Sequence, residues 1–306
     1  MLHVAVVGDR GSGKTTVLGL LYLALVRSGS GRNDDLRFRV TLDSLEEVTG
    51  LFQQLMSGSF PDAAAKEGLH GLDFEVGFRR SRLGGLSRRD PGEWTADTNA
   101  TIRVALPGSL DAKTPGLFSG STIGTGPWRD ALDADALLIL ADATQLVPKG
   151  ETDESAPLRL FDRQVEALLT SIQRWRSRGG RETLHPIFVV TKFDAVPRKI
   201  LQAANVDPQP PEAAKTGPRA VYAKALLNPS LPRTLATLNE GGGTKLRFAR
   251  PSFFFSSVGT DTKTADASER IRLRRIDGGG WEPEYSWEEY HALLDTLGDI
   301  AAGTKA

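Results

Sequence analysis

The sequence predicts an α/β fold built on a doubly wound, mostly parallel sheet. Two observations carry this prediction: short apolar runs of strand length recur along the chain, and segments with helical periodicity alternate with them. Alternation of this kind requires crossover connections, which put helices on both faces of a parallel sheet. The 306 residues suffice to bury a full core, and we expect a single domain over residues 1–306.

The first strand and helix enclose a complete G-x-x-x-x-G-K-[ST] pattern, Gly8-Asp9-Arg10-Gly11-Ser12-Gly13-Lys14-Thr15. The pattern directly follows the apolar run 4–7 and opens a helical segment at 16–26, which is the context that it requires. Gly8 and Gly13 permit backbone angles and close approaches that a Cβ would block. The N–H groups of the turn and the positive end of the helix then point at phosphate oxygens.

These residues predict a nucleotide phosphate site of the P-loop NTPase type. Lys14 reaches the β- and γ-phosphates, and the Thr15 hydroxyl binds Mg²⁺. The alternative is an ordinary Gly/Ser turn between a strand and a helix. The residues expected to contact the nucleotide here are Gly8, Asp9, Gly11, Ser12, Gly13, Lys14, Thr15 and Thr16.

After the loop helix, the pattern predicts a strand, a helix and a hairpin. Leu36–Val40 alternates at period two, which indicates a half-buried strand, and Asp43 or Ser44 caps the following helix. Segments 72–78 and 101–106 alternate again, and we expect them to pair as an antiparallel hairpin.

Three later runs, 135–142, 186–190 and 252–255, are apolar without alternation, as in strands that are covered on both faces. Helical patterns occupy the segments around them: about 158–178, then 213–227 and 231–238 within an insertion spanning about 195–250, and, after a polar linker, a closing helix at about 286–301.

Composition excludes several classes of protein. Basic and acidic residues number 38 each, so no overall charge favours nucleic acid or a membrane surface. The absence of cysteine excludes disulfides and thiolate metal sites, and the four histidines have no ligand spacing. No apolar run reaches membrane-spanning length and the first is only as long as a strand, so we predict no signal peptide and a cytoplasmic location.

A second motif, Thr191-Lys192-Phe193-Asp194, ends the second of the buried runs. Open α/β sheets bind ligands at the carboxyl ends of their strands. The Asp194 carboxylate can accept two parallel hydrogen bonds from guanine N1–H and N2–H₂, a donor pair that adenine lacks. The Lys192 stem can lie along the plane of the base. The alternative is a solvated ion pair between Lys192 and Asp194.

The order GDRGSGKT, TKFD and then Ser256-Ser257-Val258-Gly259 resembles the translation-factor-related (TRAFAC) class of P-loop GTPases over residues 2–259. More loosely, with segment 57–61, the chain is similar to bacterial double-GTPase-type and small Ras-like GTPase domains of conflict and signalling systems. The resemblance implies binding of GTP or GDP with Mg²⁺ and nucleotide-dependent switching of a protein partner. The base-side residues that it implies are Thr191, Lys192, Asp194, Ser256, Ser257 and Val258.

The chain departs from this class in the residues that handle Mg²⁺ and water. Where the class has D-x-x-G, the sequence has Ala105-Leu106-Pro107-Gly108, which keeps Gly108 but lacks the acidic residue. Asp142 is an alternative acid for Mg²⁺, or an ordinary residue at a strand end. Stretch 61–65 lacks the threonine that senses the γ-phosphate, and Ser109 stands where some members carry glutamine.

Arg10 lies at the loop position that covers the γ-phosphate. Three alternatives stay open for its guanidinium: it supplies charge in cis, it clamps the triphosphate without turnover, or it points to solvent. Five arginines at 79–89 form a solvated loop or contact a partner or polyanion. Aromatic residues that could stack on bases are not interleaved with them, which favours the solvated loop.

The sequence therefore predicts a GTP-binding switch with slow hydrolysis, in which Lys14, Arg10 and Gly108 are the catalytic candidates and Thr15 and Asp142 the metal ligands. One alternative is a catalytically degenerate nucleotide-binding scaffold. Another is an ATP-using NTPase or kinase that employs Asp142 as its acidic residue.

Overall fold

The structure, a computed structural model, describes residues 1–27, 36–40, 42–61, 71–78, 99–107, 128–150, 153, 155–177, 179, 182–241, 246–262, 269–276 and 280–303. The strands of its central sheet are β1 (Leu2–Gly8), β2 (Leu36–Val40), β3 (Gly71–Phe78), β4 (Asn99–Ala105), β5 (Ala136–Asp142), β6 (Thr183–Thr191), β7 (Arg247–Phe248) and β8 (Ser252–Phe255). The helices are α1 (Lys14–Arg27), α2 (Leu42–Met56), α3 (Arg129–Asp133), α4 (Pro157–Arg176), α5 (Arg198–Ala204), α6 (Thr216–Leu227), α7 (Pro232–Glu240) and α8 (Trp287–Gly303).

The central sheet is mostly parallel. Its order is β2-β3-β4-β1-β5-β6-β7, and β8 pairs with β6 beyond the end of β7. Strands β4, β1, β5, β6 and β8 are parallel, whereas β3 is antiparallel to both β4 and β2. Helices α5, α6 and α7 lie between β6 and the last strands of the sheet. The predicted doubly wound α/β fold, its antiparallel hairpin and its helical insertion are confirmed.

The side chains of β1 alternate between two separate hydrophobic cores, one on each face of the sheet. Leu2, Val4 and Val6 pack on one face with α1, α2 and α8, and Ala5 and Val7 pack on the other with α3 to α7. All seven residues of β5 are buried, which explains why its sequence is apolar without alternation. The carboxyl ends of the central strands are thereby held rigidly between two helical layers.

Several elements differ from the sequence-based expectation. Helix α2 begins at Leu42, so the predicted caps Asp43 and Ser44 lie inside it. Helices α3 and α5 were not predicted, because five and seven residues are too short to show a helical period. The segment predicted as a polar linker before the closing helix contains strands that were not predicted. They form two short antiparallel pairs, β9 (Thr260–Thr262) with β10 (Glu269–Ile271) and β11 (Leu273–Arg275) with β12 (Trp281–Pro283).

Among the described residues, no helix is both long enough and apolar enough to cross a membrane. Several predicted features lie outside the described residues: Gly108 and Ser109, most of stretch 61–65, and the arginine run at 79–89.

Candidate functional site

The carboxyl ends of four parallel strands meet at one edge of the sheet. In the strand register, Gly8 of β1 is paired with Leu140 of β5, Asp142 with Thr191 of β6, and Val190 with Phe255 of β8. The glycine-rich loop and segments 191–194 and 256–258 each begin at one of these ends. Register alone therefore brings the three sequence motifs to the edge where open α/β sheets bind ligands.

The glycine-rich loop requires glycine at three positions. Gly11 and Gly13 have φ of +80° and +83°, in the left-handed region that disfavours other residues. Gly8 is needed for space, because a Cβ there would lie 2.3 Å from Ser12 Oγ and 3.1 Å from Leu140 Cβ. The loop therefore curls back over the end of β1, and α1 begins immediately after it.

Ser12 presents an unpaired polar group inside this loop. Its side chain is 2% exposed, and Ser12 Oγ has no hydrogen-bond partner among the described residues. Its N–H donates to the Asp9 carbonyl at 3.2 Å, which closes the turn. An unsatisfied buried hydroxyl is costly, and an oxygen-rich anion seated in the loop would supply its missing partner.

The Lys14 ammonium lies within the loop. Nζ donates to the Gly8 carbonyl at 2.9 Å and to the Asp9 carbonyl at 2.8 Å. Burial lowers the pKa of Lys14 from 10.5 to about 8, against the opposing attraction of Asp9. A phosphate beside the ammonium would favour its charged form, so the loop's geometry and its electrostatics both fit a bound anion.

The remaining loop residues divide between the interior and solvent. Thr15 is buried and Thr16 is half-buried at the start of α1, whereas Arg10 is exposed. The Arg10 N–H donates to Asp9 Oδ1 at 2.7 Å. The role of Arg10 towards a bound triphosphate stays a prediction.

Segment 191–194 leaves β6 through a tight turn. Thr191 is buried, and its hydroxyl donates to the Ala141 carbonyl at 3.4 Å. Lys192 has φ of +53°, which turns the chain into the short 3₁₀ helix Phe193–Ala195 and leaves the Asp194 side chain exposed. Partial burial raises the pKa of Asp194, N–H groups of Asp194 and Val258 lower it, and Glu269 raises it further.

The two base-side segments contact each other directly. The Phe193 N–H donates to the Ser256 carbonyl at 3.0 Å, and the Val258 N–H donates to Asp194 Oδ1 at 3.4 Å. The segment that follows β8 therefore borders the Asp194 carboxylate.

Helix α8 and Ser286, the residue before it, contact the segment that follows β8. Ser256 Oγ and Tyr290 OH are hydrogen-bonded at 2.6 Å, and the Ser257 N–H donates to Ser286 Oγ at 3.0 Å. The sequence analysis missed Tyr290 of α8 and Ser286, which precedes α8, because they lie 34 and 29 positions from their partners and form no motif with them.

The Arg219–Glu289 ion pair hydrogen-bonds to the backbone along the edge of β8. Glu289 Oε2 accepts from the Phe255 N–H at 2.9 Å and from the Arg219 guanidinium of α6, and Arg219 Nε donates to the Phe253 carbonyl at 2.6 Å. A cavity of about 900 Å³ opens beyond this pair, between α6, α7 and α8. It lies away from the glycine-rich loop, and no sequence motif points to it.

Asp142 pairs with Lys192, a contact that the sequence analysis did not anticipate. Lys192 Nζ lies 2.6 Å from Asp142 Oδ2, while Asp142 Oδ1 accepts from the Thr144 N–H at 2.9 Å and the Thr144 hydroxyl at 2.6 Å. Both carboxylate oxygens thus already have protein partners, so a magnesium-ligand role for Asp142 stays a prediction. The alternative of a solvated pair between Lys192 and Asp194 does not describe this structure, where Lys192 reaches the buried Asp142 instead.

The described residues offer few side chains that could bind a metal ion at this site. Within the described ranges, no three His, Asp or Glu side chains gather into a metal-binding cluster. Ala105 ends β4 beside Ala5 of β1, so the strand end that would supply the D-x-x-G acid supplies a methyl group. Thr15 is the loop residue whose hydroxyl is suited to Mg²⁺.

No protein-family model matches the sequence, and no curated protein matches it. Among solved structures, the chain is similar to the S. cerevisiae Ski7 GTPase-like domain bound to GTP, with 13% identity and a TM-score of 0.33. The match covers 83% of this chain and 43% of that one, so the chain spans less than half of its length. A likeness this distant supports no assignment of ligand or activity.

Proposed function

We propose that the chain binds GTP or GDP with Mg²⁺ and acts as a slowly hydrolysing switch for a protein partner. The observation that carries the proposal is the meeting, at one sheet edge, of a glycine-rich loop fitted to phosphate and an exposed Asp194 bordered by the segment after β8. The loop follows β1 and the carboxylate follows β6, two strands away in the same sheet, and open α/β sheets bind their ligands at this edge.

In this proposal each motif has a distinct role. Lys14 and the loop N–H groups hold the phosphates, and Thr15 binds Mg²⁺, which would supply charge neutralisation of the β- and γ-oxygens. Asp194 accepts from guanine N1–H and N2–H₂, Lys192 covers the base, and segment 256–258 borders it. This arrangement is the one implied by the resemblance to the TRAFAC class.

Slow turnover follows from the missing acid at Ala105, which removes one support of the metal. The same observation favours a second candidate, a nucleotide-binding scaffold without hydrolysis. Phosphate release measured over hours with Mg²⁺ separates the two, since turnover that Lys14→Ala abolishes rejects the scaffold. The ATP-using alternative needs Asp142 at the metal, and its bond to Lys192 disfavours that role.

The decisive experiment is a competition titration of GTP, GDP and ATP against a fluorescent guanine nucleotide, with and without Mg²⁺. Asp194→Asn should weaken GTP binding roughly ten- to a hundredfold, the cost of a charge-assisted hydrogen bond, and should favour xanthosine triphosphate. Asp207→Asn, on an exposed aspartate of the insertion, is the matched control. Unchanged GTP affinity in Asp194→Asn would refute the guanine site.

A further inference from the structure

We propose that Asp142 is a positioning residue for the base: it anchors the Lys192 ammonium so that the lysine stem forms a fixed platform. This inference rests on the proposed function, because the platform needs a purine beside Asp194. It gives Asp142 a role in base recognition in place of the metal-ligand role considered from the sequence.

The anchor is rigid. Asp142 ends β5, its side chain is 3% exposed, and β5 lies between two packed helical layers. Oδ1 is fixed by two donors of Thr144, so Oδ2 is directed towards Lys192. A buried carboxylate bound on both oxygens has little freedom to follow a moving partner.

The conformation of Lys192 is the reverse of the usual one. Lysines normally bury their methylene stem and extend the ammonium into water. Here the ammonium is bound to the buried Asp142 while 45% of the side chain stays exposed, which leaves part of the stem at the surface. An apolar stem held across the strand ends, next to Asp194, offers a surface for the face of an aromatic ring.

The backbone supports the same geometry. Lys192 occupies the left-handed region with φ of +53°, which is unfavourable for a residue with a Cβ. The turn directs its side chain back to β5 while Asp194 continues outwards to the site. An unanchored lysine would lose rotamer freedom on binding a base, and the anchor removes much of that loss beforehand.

The test compares the affinities of GTP and of inorganic tripolyphosphate for the whole chain and its variants. Asp142→Asn should weaken GTP and GDP about tenfold and leave tripolyphosphate unchanged, because the phosphate loop does not depend on Lys192. Lys192→Met should show a similar loss, and adding Asp142→Asn to Lys192→Met should cause no further loss. Asp162→Asn, which removes a carboxylate that is equally buried but lies in α4, should leave both affinities unchanged.

The outcomes separate this inference from the proposed function. A wild-type chain that binds tripolyphosphate but no guanine nucleotide overturns both. If the wild type binds GTP, two results overturn the positioning role alone. One is a double variant whose loss of GTP affinity is the sum of the two single losses, and the other is an Asp142→Asn variant that loses GTP and tripolyphosphate affinity equally. If Asp142→Asn unfolds, Thr144→Val removes one donor to Oδ1 and should give the same selective loss, about two- to threefold.

Discussion

Lys14 is expected to make phosphate binding depend on pH just above neutrality. Its ammonium donates to two loop carbonyls, and burial lowers its pKa to about 8 in the free protein. A bound phosphate stabilises the charged form, so the pKa of Lys14 rises on binding and the loop takes up a proton. Affinity should therefore fall as pH rises through 8.

The magnitude follows from the fraction of protein that is already charged. With a pKa of about 8, the protonated fraction of Lys14 is about nine-tenths at pH 7 and about one-tenth at pH 9. Tripolyphosphate should therefore bind about tenfold more weakly at pH 9 than at pH 7. The same lowered pKa means that the unfolded chain holds more protons between pH 8 and 10.5, so the free energy of unfolding of the free protein rises with pH across that window.

The assay is a competition titration of tripolyphosphate at pH 7, 8 and 9, with Lys14→Arg as the control. A guanidinium stays charged throughout this range, so the variant should lack the pH dependence that comes from residue 14 while keeping any titration of the ligand. If wild type and Lys14→Arg show the same slope, Lys14 does not titrate near pH 8 and the reasoning fails.

Two further predictions concern stability. Gly13→Ala, at φ of +83°, should lower the free energy of unfolding by about 1–2 kcal/mol. Gly8→Ala should lower both the free energy of unfolding and the affinity for phosphate, because its Cβ would lie 2.3 Å from Ser12 Oγ. Denaturant unfolding and tripolyphosphate titration check both, and a neutral Gly8→Ala would contradict the close packing of the loop. Arg219→Met leaves the partly buried Glu289 without its ion-pair partner and should destabilise the fold by about 3–5 kcal/mol. The exposed Arg270→Ala should change the free energy of unfolding by less than about 0.5 kcal/mol in the same measurement. Equal effects of the two arginine variants would refute the importance of the buried pair.

The sequence predicted the sheet well because its strongest signals are local. The run 136–141 is apolar without alternation, as in a strand covered on both faces, and it forms most of β5. The hairpin of β3 and β4 followed from alternation alone. Three-residue strands such as β9 and β11 carry charged residues and are too short to show a period of two, so no sequence pattern predicts them.

For the candidate site, the sequence predicted the glycine-rich loop and the segment at 191–194, but not the contacts that hold them in place. Spacing in the glycine-rich pattern required Gly8 and Gly13, and both have the geometry that was expected. The partner of Lys192 was not predictable, because Asp142 lies 50 residues earlier and becomes a neighbour only through the register of β5 and β6. A strand-end aspartate has many possible roles until its strand neighbour is known.

This difference between local and distant contacts has a consequence for binding. The phosphate side is built within one short loop, where Lys14 bonds to carbonyls five and six residues away. The base side depends on contacts between segments 29 to 64 residues apart, including those of α8. Under the proposed function, breaking the Arg219–Glu289 pair should weaken guanine binding more than tripolyphosphate binding, because the pair contacts β8 and not the glycine-rich loop.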